Sequence, residues 1–242
     1  MPHGTPDWGQ TGPKRTVHGL DDLGEHAVRL GSPHRFERGG DVLSQVDFRD
    51  GFGEFVRYNT VVAGDVGLCT GHSRQGPYSV ILTSTGANAG EQGGHIVVPY
   101  TGPSRIGGEF TFSVQVDADP WYLQLFWVDR TTVWQSRLRY TPATGQLWYY
   151  DAGGVYQPFA AGVWTFPTEY LRHTMKLVVD MIAHTYVRAV FNELGYSLAG
   201  IPVRNAGGGA YIDIDMWAIL ERQVGSDLDM YIDNVIVTQN EF

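Results

Sequence analysis

The chain has 242 residues, of which 43% are hydrophobic and 13% aromatic, so it can bury a large core and differs from a disordered chain. Its formal charge is −9, and because a nucleic-acid binder must neutralise phosphates with Lys and Arg, we expect no nucleic-acid partner. No apolar stretch approaches the length of a membrane span, so we expect no membrane partner. Cys69 is the one cysteine, which excludes an internal disulfide.

Residues 1–40 are predicted to form an extended arm that contains one short helix. Pro and Gly recur through residues 1–18, and this segment lacks the basic and apolar regions of a secretion signal. Asp22 and Glu25 have the spacing of a helix N-cap and its partner, and Gly31 follows as a stop, so we expect a helix over about 21–30. The apolar residues expected to anchor this arm on another surface are Trp8, Leu20, Leu23 and Leu30.

From residue 41 to residue 242 strand and turn patterns alternate, which predicts one β-sandwich domain. Apolar and polar residues alternate in 110–116, whereas 121–128 is apolar on both faces, as a strand covered on both sides would be. Further strands are expected over 132–140, 146–151, 173–180, 185–191, 211–220 and 229–238. Clean alternation within 211–220 predicts that Ile212, Ile214, Met216 and Ala218 face inward. Many short strands without a second helical pattern are typical of an all-β sandwich.

Several segments of this domain resemble known modules. Residues 46–56 (VDFRDGFGEFV), 76–83 (GPYSVILT) and 231–237 (YIDNVIV) resemble, in the same order, landmarks of carbohydrate-binding jelly rolls. Residues 137–156 and 175–180 (MKLVVD) resemble the concanavalin A and laminin-G type of sandwich. The resemblance implies an all-β jelly-roll β-sandwich of the concanavalin A-like lectin type.

The arm resembles another class of protein. Residues 4–9 (GTPDWG), 20–30 (LDDLGEHAVRL) and 39–41 resemble the leader of phage virion structural proteins, in which an arm attaches a lectin-like sandwich to the particle. This resemblance implies a decoration, minor capsid or tail-associated protein, assembled in a host cytoplasm and displayed on the virion surface. It would form a homo-oligomer or bind other particle subunits through the arm, and its sandwich would contact host glycans. The alternative is a free-standing carbohydrate-binding protein.

We expect no catalytic activity. Asp213 and Asp215 share a strand face, as the two acids of a glycoside hydrolase can. The hydrolase family with this sandwich, however, uses Glu-x-Asp-x-x-Glu, and neither Glu is present, so a solvated strand face is the favoured interpretation. The clustered Arg, Gln, His and Tyr motifs of polysaccharide lyases on this fold are not found in the sequence either.

A structural Ca²⁺ is the one cofactor that the sequence suggests, because such modules often hold one where the opening and closing strands meet. Carboxylate oxygens are the hard ligands that this ion prefers. The candidate ligands are Asp47, Asp50, Asp227, Asp229 and Asp233. The alternative is a set of turn and edge carboxylates in an acidic protein.

Sugar binding would use aromatic rings that stack on the sugar. The candidates are Trp121, Trp127, Trp134, Trp148 and Tyr150. Adjacent residues of a strand face opposite ways, so of Trp148 and Tyr149 at least one is expected to belong to the core.

Overall fold

Alternating apolar residues and frequent turn residues produce β structure through most of the chain. The computed structural model describes residues 40–73, 77–84, 86, 89–99, 102–114, 119–129, 131–165, 168–209, 213–225 and 228–241. The predicted arm, its helix and its anchor residues Trp8, Leu20, Leu23 and Leu30 lie outside these ranges and remain predictions. Within the same ranges, no helix combines the length and the apolar character needed to cross a bilayer.

The described residues form sixteen strands and one short 3₁₀ helix at Pro142–Thr144. The first eight strands are β1 (Asp41–Val46), β2 (Val56–Asn59), β3 (Asp65–Cys69), β4 (Ser79–Thr83), β5 (Gly90–Pro99), β6 (Arg105–Val114), β7 (Trp121–Asp129) and β8 (Thr132–Thr141). The last eight are β9 (Gln146–Tyr150), β10 (Tyr156–Ala160), β11 (Thr168–Asp180), β12 (Thr185–Phe191), β13 (Leu194–Ser197), β14 (Arg204–Gly208), β15 (Asp213–Arg222) and β16 (Met230–Gln239).

The strands make two antiparallel sheets that pack face to face as a jelly-roll sandwich, which confirms the predicted fold class. The first sheet has the order β13-β12-β11-β6-β16-β4-β3, with β1 also paired to β16. The second sheet has the order β10-β9-β8-β7-β15-β5-β2, with β14 also paired to β8. The last strand of the chain therefore lies between strands from its first half, so both ends of the domain are needed to complete the first sheet.

The core lies between the sheets and takes alternate residues from each strand. On β15, Ile214, Met216 and Ala218 are buried in the core, as the sequence predicts. Asp213 and Asp215 occupy the intervening positions, so they face away from the first sheet. Burying a side chain of the size of Ile or Met contributes about 1.5–3 kcal/mol relative to exposure, so Ile214 and Met216 fix the register of the strand.

Two cationic clusters are also buried, one between the sheets and one on the side of the first sheet that faces away from the second. Arg222 at the end of β15 donates to the side-chain oxygen of Gln92 at 2.8 Å and to the carbonyls of Leu82 and Leu228 at 2.6 Å each. Its guanidinium also lies 3.6 Å from the carboxylate of Asp119. The chain therefore supplies this buried charge with an anion and with carbonyl acceptors, as a buried ion needs.

The second cluster surrounds Glu241. Its carboxylate lies 2.8 Å from the ammonium of Lys176 and 2.8 Å from the guanidinium of Arg188. The hydroxyl of Thr238 donates to the same carboxylate at 2.6 Å. These contacts join β16 to β11 and β12 across the first sheet.

The backbone conformation at one position of the second sheet requires glycine. Gly93 of β5 has φ +148°, and a Cβ atom there would lie 2.0 Å from the carbonyl oxygen of Ala218 on β15. No side chain can therefore stand at this position without moving the strands apart.

Candidate functional site

The side of the second sheet that faces away from the first sheet, here called the outer face, carries polar and aromatic side chains. On β7, Leu123 and Leu125 belong to the core, so Tyr122 and Gln124 point the other way. The same alternation and the pairing registers place further side chains on this face: Tyr58, Glu91, His95, Gln135, Arg137, Arg139, Trp148, Tyr150, Tyr156, Arg204, Asp215, Trp217 and Glu221.

One row of paired positions crosses four strands of this face. His95 of β5 pairs with Trp217 of β15, Trp217 pairs with Gln124 of β7, and Gln124 pairs with Arg137 of β8. Neighbouring strands lie about 4.8 Å apart, so the four side chains follow one another at that spacing. The register thus joins residues that are far apart in the sequence.

Arg137 is the centre of the group that we call the arginine cluster, which comprises Arg137, Arg139, Arg204, Tyr122, Tyr150 and Tyr156. The Nε of Arg137 donates to the Oε1 of Gln124, and its Nη1 donates to the hydroxyl of Tyr156 at 3.4 Å. Its guanidinium carbon lies 4.9 Å from the ring centre of Tyr122 and 5.1 Å from that of Tyr150. A half-buried charge is therefore held by neutral partners, and the two ring contacts stabilise it through cation–π attraction.

Arg204 of β14 approaches the same tyrosine from the edge of the sheet. Its Nη1 donates to the hydroxyl of Tyr150 at 3.1 Å and to the Oε1 of Gln135 at 3.0 Å. The Nε2 of Gln135 donates in turn to the Oε1 of Gln124 at 2.7 Å, and this atom also accepts from Arg137. The two amides therefore connect the two guanidiniums and restrict their orientation.

The carboxylates nearest the cluster already have partners. Glu221 lies 3.0 Å from the guanidinium of Arg139. Glu91 accepts hydrogen bonds from the hydroxyls of Tyr58 and Tyr122. These acidic groups lie on β5 and β15, on the side of the face away from β8 and β14.

Two phenols of the arginine cluster, those of Tyr122 and Tyr156, stay protonated at neutral pH. Burial raises the pKa of Tyr122, and the nearby Glu91 raises it further. Burial also raises the pKa of Tyr156, although the Arg137 guanidinium opposes this increase. Burial would lower the pKa of Arg137, but the phenols around it produce a net increase, so the guanidinium stays charged. The cluster therefore presents neutral hydroxyl donors beside fixed positive charges.

A second group, the Trp217 cluster, lies on β15, β5 and β2 and comprises Trp217, His95, Asp215 and Tyr58. The rings of Trp217 and His95 stack with centres 4.2 Å apart, and Tyr58 contacts Trp217 edge-on at 5.0 Å. The Nδ1 of His95 lies 2.7 Å from Asp215, so this carboxylate fixes the imidazole ring. Burial and the neighbouring Asp215 raise the pKa of Asp213.

Tyr186 of β12, a buried residue of the first sheet, forms hydrogen bonds to the backbone beneath the arginine cluster. The hydroxyl of Tyr186 accepts the backbone N–H of Arg137 at 3.0 Å and donates to the carbonyl of Tyr150 at 2.7 Å. The pairing of β8 with β9 ends at Leu138 and Tyr149 and does not include Arg137. Tyr186 therefore bridges the two strands where their own hydrogen bonds stop.

The structure corrects two of the predicted sugar-binding residues. Trp121 and Trp127 face the first sheet and are 0% and 1% exposed. The prediction that these two rings contact a ligand is wrong, because β7 directs them into the core. Trp134 is partly buried, packs against the core and stacks on His184 with ring centres 3.8 Å apart, so its contact with a ligand stays a prediction.

The other two predicted aromatics lie on the outer face. Trp148 and Tyr150 alternate with Leu147 and Tyr149, and Tyr149 packs against the core. As expected from alternation, only one of Trp148 and Tyr149 can face a ligand. Trp148 and Tyr150 therefore remain candidate ligand contacts.

The predicted calcium ligands are not brought together among the described residues. The candidates are Asp47, Asp50, Asp227, Asp229 and Asp233. Asp47 forms an ion pair with Arg49 at 3.2 Å, and Asp50 is exposed. No three acidic, His or Cys side chains in the described ranges are grouped closely enough to hold a metal ion. Because Asp227 lies outside these ranges, the calcium site remains a prediction.

Sequence analysis missed the residues that meet at the centre of the outer face. His95, Gln124, Arg137 and Trp217 come from four strands, so no local motif contains them. The Arg, Gln, His and Tyr side chains that were not found as a motif are therefore present together on one face. No sequence signal in 121–128 assigns Tyr122 and Gln124 to the outer face, because this segment is apolar on both faces.

No family model matches the chain, and no curated protein matches it. Among solved structures, the alginate lyase of a Chlorella virus is similar with a TM-score of 0.55 and 10% identity, over 82% of this chain and 100% of that one. The endo-β-1,4-glucuronan lyase of the fungus Trichoderma reesei has a TM-score of 0.50 and 12% identity, over 82% of this chain and 96% of that one.

A phage protein is also among the similar structures. The carbohydrate esterase of the Shiga toxin-encoding bacteriophage phi24B has a TM-score of 0.49 and 13% identity, over 84% of this chain and 100% of that one. At these identities the similarity concerns the fold alone, because one jelly roll serves many functions.

Proposed function

We propose that the outer face of the second sheet binds a glycan. The observation that carries this proposal is the row in which the Trp217 ring lies beside Gln124 and Arg137 on one sheet face. Sugars present an apolar C–H face to aromatic rings and hydroxyls to amides, carboxylates and guanidiniums. A few fixed polar groups among aromatic rings are typical of small-molecule sites.

Two of the similar structures, at TM-scores of 0.55 and 0.50, are named as enzymes that act on polysaccharides, alginate and β-1,4-glucuronan. Their names agree with the proposal, but the side chains of the outer face carry it.

The test is binding of the full chain to a panel of soluble polysaccharides by affinity electrophoresis, followed by calorimetry on the best ligand. The substitution Trp217→Ala should weaken binding about tenfold, since loss of one stacked ring costs on the order of 1.4 kcal/mol. Trp164→Ala is the matched control, because Trp164 is 69% exposed and lies outside the strands of the second sheet. Equal binding by the two variants, or no binding by the wild-type protein, would contradict the proposal.

We propose binding without catalysis, and a polysaccharide lyase is the second candidate. Its supporting observation is the presence of Arg137, Gln124, Tyr156 and the His95–Asp215 pair on one face. Burial raises the pKa of Tyr156 and keeps its phenol protonated, so the phenolate that a lyase would use as a base is scarce, which favours binding. Incubation with polyuronates should give no ultraviolet-absorbing unsaturated product, and steady formation of that product would establish the lyase.

We also propose that the binding domain is carried on a virus-like particle by residues 1–40. This part of the proposal rests on the resemblance of 4–9 and 20–30 to virion leaders. Light scattering should give an oligomer for the full chain and a monomer for a chain that starts at Val42. Two well-folded monomers would instead favour a free-standing carbohydrate-binding protein.

A further inference from the structure

We infer that the glycan bound on the outer face is acidic, and that Arg137 and Arg204 receive its negatively charged groups. This inference rests on the proposed function, because it names the ligand class of the same face. It is based on a difference in partners among the cationic side chains of the described residues.

Most cationic side chains in the described ranges form an ion pair with a carboxylate of the chain. These side chains are Arg49, Arg105, Arg139, Lys176, Arg188 and Arg222. Arg137 and Arg204 differ, because no carboxylate of the described residues lies within ion-pair distance of either. In a protein with a formal charge of −9, two such arginines side by side need an explanation.

Solvation does not provide that explanation. Arg57 also has no carboxylate partner among the described residues, but it is exposed and water can solvate it. Arg137 and Arg204 are only partly exposed, and both pack on the ring of Tyr150, at 5.1 and 5.5 Å from its centre. Two partly buried like charges on one ring repel each other, and an anion between them would remove that cost.

The unused donors of these side chains indicate where the anion binds. A guanidinium has five N–H donors. Arg137 uses Nε and Nη1, and within the described residues its Nη2 makes no hydrogen bond. Arg204 uses Nη1, and its Nε and Nη2 likewise make none there. The free edges form planar forks, which match the oxygens of a carboxylate or a sulfate.

The acidic side chains of the outer face do not compete for these donors. Asp215 is bound to His95, Glu221 is bound to Arg139, and Glu91 accepts from two tyrosines. Asp215, Glu221 and Glu91 are therefore occupied, whereas Arg137 on β8 and Arg204 on β14 have no carboxylate partner among the described residues. A carboxylate or sulfate on the sugar supplies the missing charge.

The experiment compares ligands that differ only in charge. The full chain is titrated by calorimetry with oligogalacturonate and with its methyl ester, with alginate and its methyl ester, and with a sulfated galactan and its desulfated form. For every acidic polysaccharide that binds, we expect an affinity at least tenfold higher than that of its neutral counterpart. The carboxylate and sulfate series then show which acid the face selects.

Substitutions at the two arginines test whether these side chains bind the acidic groups of the glycan. Arg137→Met and Arg204→Met should each weaken acidic binding by about 10- to 100-fold, because a hydrogen-bonded charge contact is worth about that factor. Arg57→Met is the matched control, since it removes the same charge from an exposed position on β2. Arg137→Lys keeps the charge but loses the planar fork, so it should recover only part of the binding. Near-ultraviolet circular dichroism of each variant checks the fold.

The outcomes separate the inference from the proposed function. If neutral and acidic forms bind equally and Trp217→Ala still weakens binding, the face binds glycans but the inference is wrong. If Arg57→Met is as damaging as Arg137→Met, general charge attraction explains the binding and the inference is also wrong. If no polysaccharide binds, the proposed function itself fails.

Discussion

Arg222 and Arg137 belong to the same sheet and have opposite surroundings. Arg222 points into the sandwich, where the chain supplies a carboxylate, an amide oxygen and two carbonyls. Arg137 points outward, and its partners are an amide oxygen, a phenol and two ring faces. The chain itself therefore supplies Arg222 with an anionic partner. Arg137 has only neutral partners, so its charge can pair with an anion on a ligand.

The largest effect is expected from Arg222→Met. Removing one member of a buried pair leaves Asp119 as an uncompensated charge, so the free energy of unfolding should fall by about 3–5 kcal/mol. The same substitution at Arg137 should change it by less than about 1 kcal/mol, because Gln124 keeps its bond from Gln135. Urea unfolding followed by tryptophan fluorescence measures both, and equal losses would remove the distinction between the two arginines.

A smaller effect is expected from Tyr186→Phe, which tests the support beneath Arg137. The lost hydroxyl leaves the N–H of Arg137 and the carbonyl of Tyr150 without this partner, so unfolding should become easier by about 1 kcal/mol. Acidic-glycan binding should weaken as well, because the two strands would lose their bridge. Tyr196→Phe is the control, since Tyr196 is partly exposed and its hydroxyl makes no hydrogen bond within the described ranges. Unchanged binding in Tyr186→Phe would show that the cluster does not need this support.

The smallest effect on stability is expected from removing the charge of Asp180, which pairs with Arg105, a side chain that is 44% exposed. Burial raises the pKa of Asp180, but the N–H groups of Ala183 and Ile182 and the Arg105 guanidinium outweigh it and lower the pKa overall. A carboxyl with a lowered folded pKa stabilises the fold above its unfolded pKa, and this contribution disappears as the pH falls through the folded value.

The matching variant is Asp180→Asn. It should be slightly less stable than the wild-type protein at neutral pH, and the difference should vanish as the pH falls below about 4. Thermal unfolding across that pH range measures it, with Asp50→Asn as an exposed control. A difference that persists at low pH would mean that the carboxylate charge is not responsible.

The sequence predicts the sandwich because alternation is a local property. The strand predicted over 185–191 has those bounds in the structure, and the inward positions of Ile214, Met216 and Ala218 are confirmed. The outer face could not be predicted in the same way. Which residue of β8 lies beside Gln124 depends on pairing register, and register is set by packing between distant strands.

The aromatic residues show where prediction from sequence fails. In β7 both faces are apolar enough that Trp121 and Trp127 resemble ligand contacts as much as core residues. The deciding fact is which side meets the first sheet, and a strand with apolar residues on both faces does not reveal that side. Alternation in 211–220 places Trp217 opposite the core residues, but its contact with His95 depends on the pairing of two distant strands.

Gly93 affects the shape of the outer face as well as its backbone. A side chain at this position would collide with the carbonyl of Ala218, so none can fill the space between Tyr58 and the neighbouring strand. Substitution of Gly93 by Ala should therefore disturb the pairing of β5 with both β2 and β15, which carry Tyr58 and Trp217. The position of the Trp217 cluster on the outer face thus depends on a residue that has no side chain of its own.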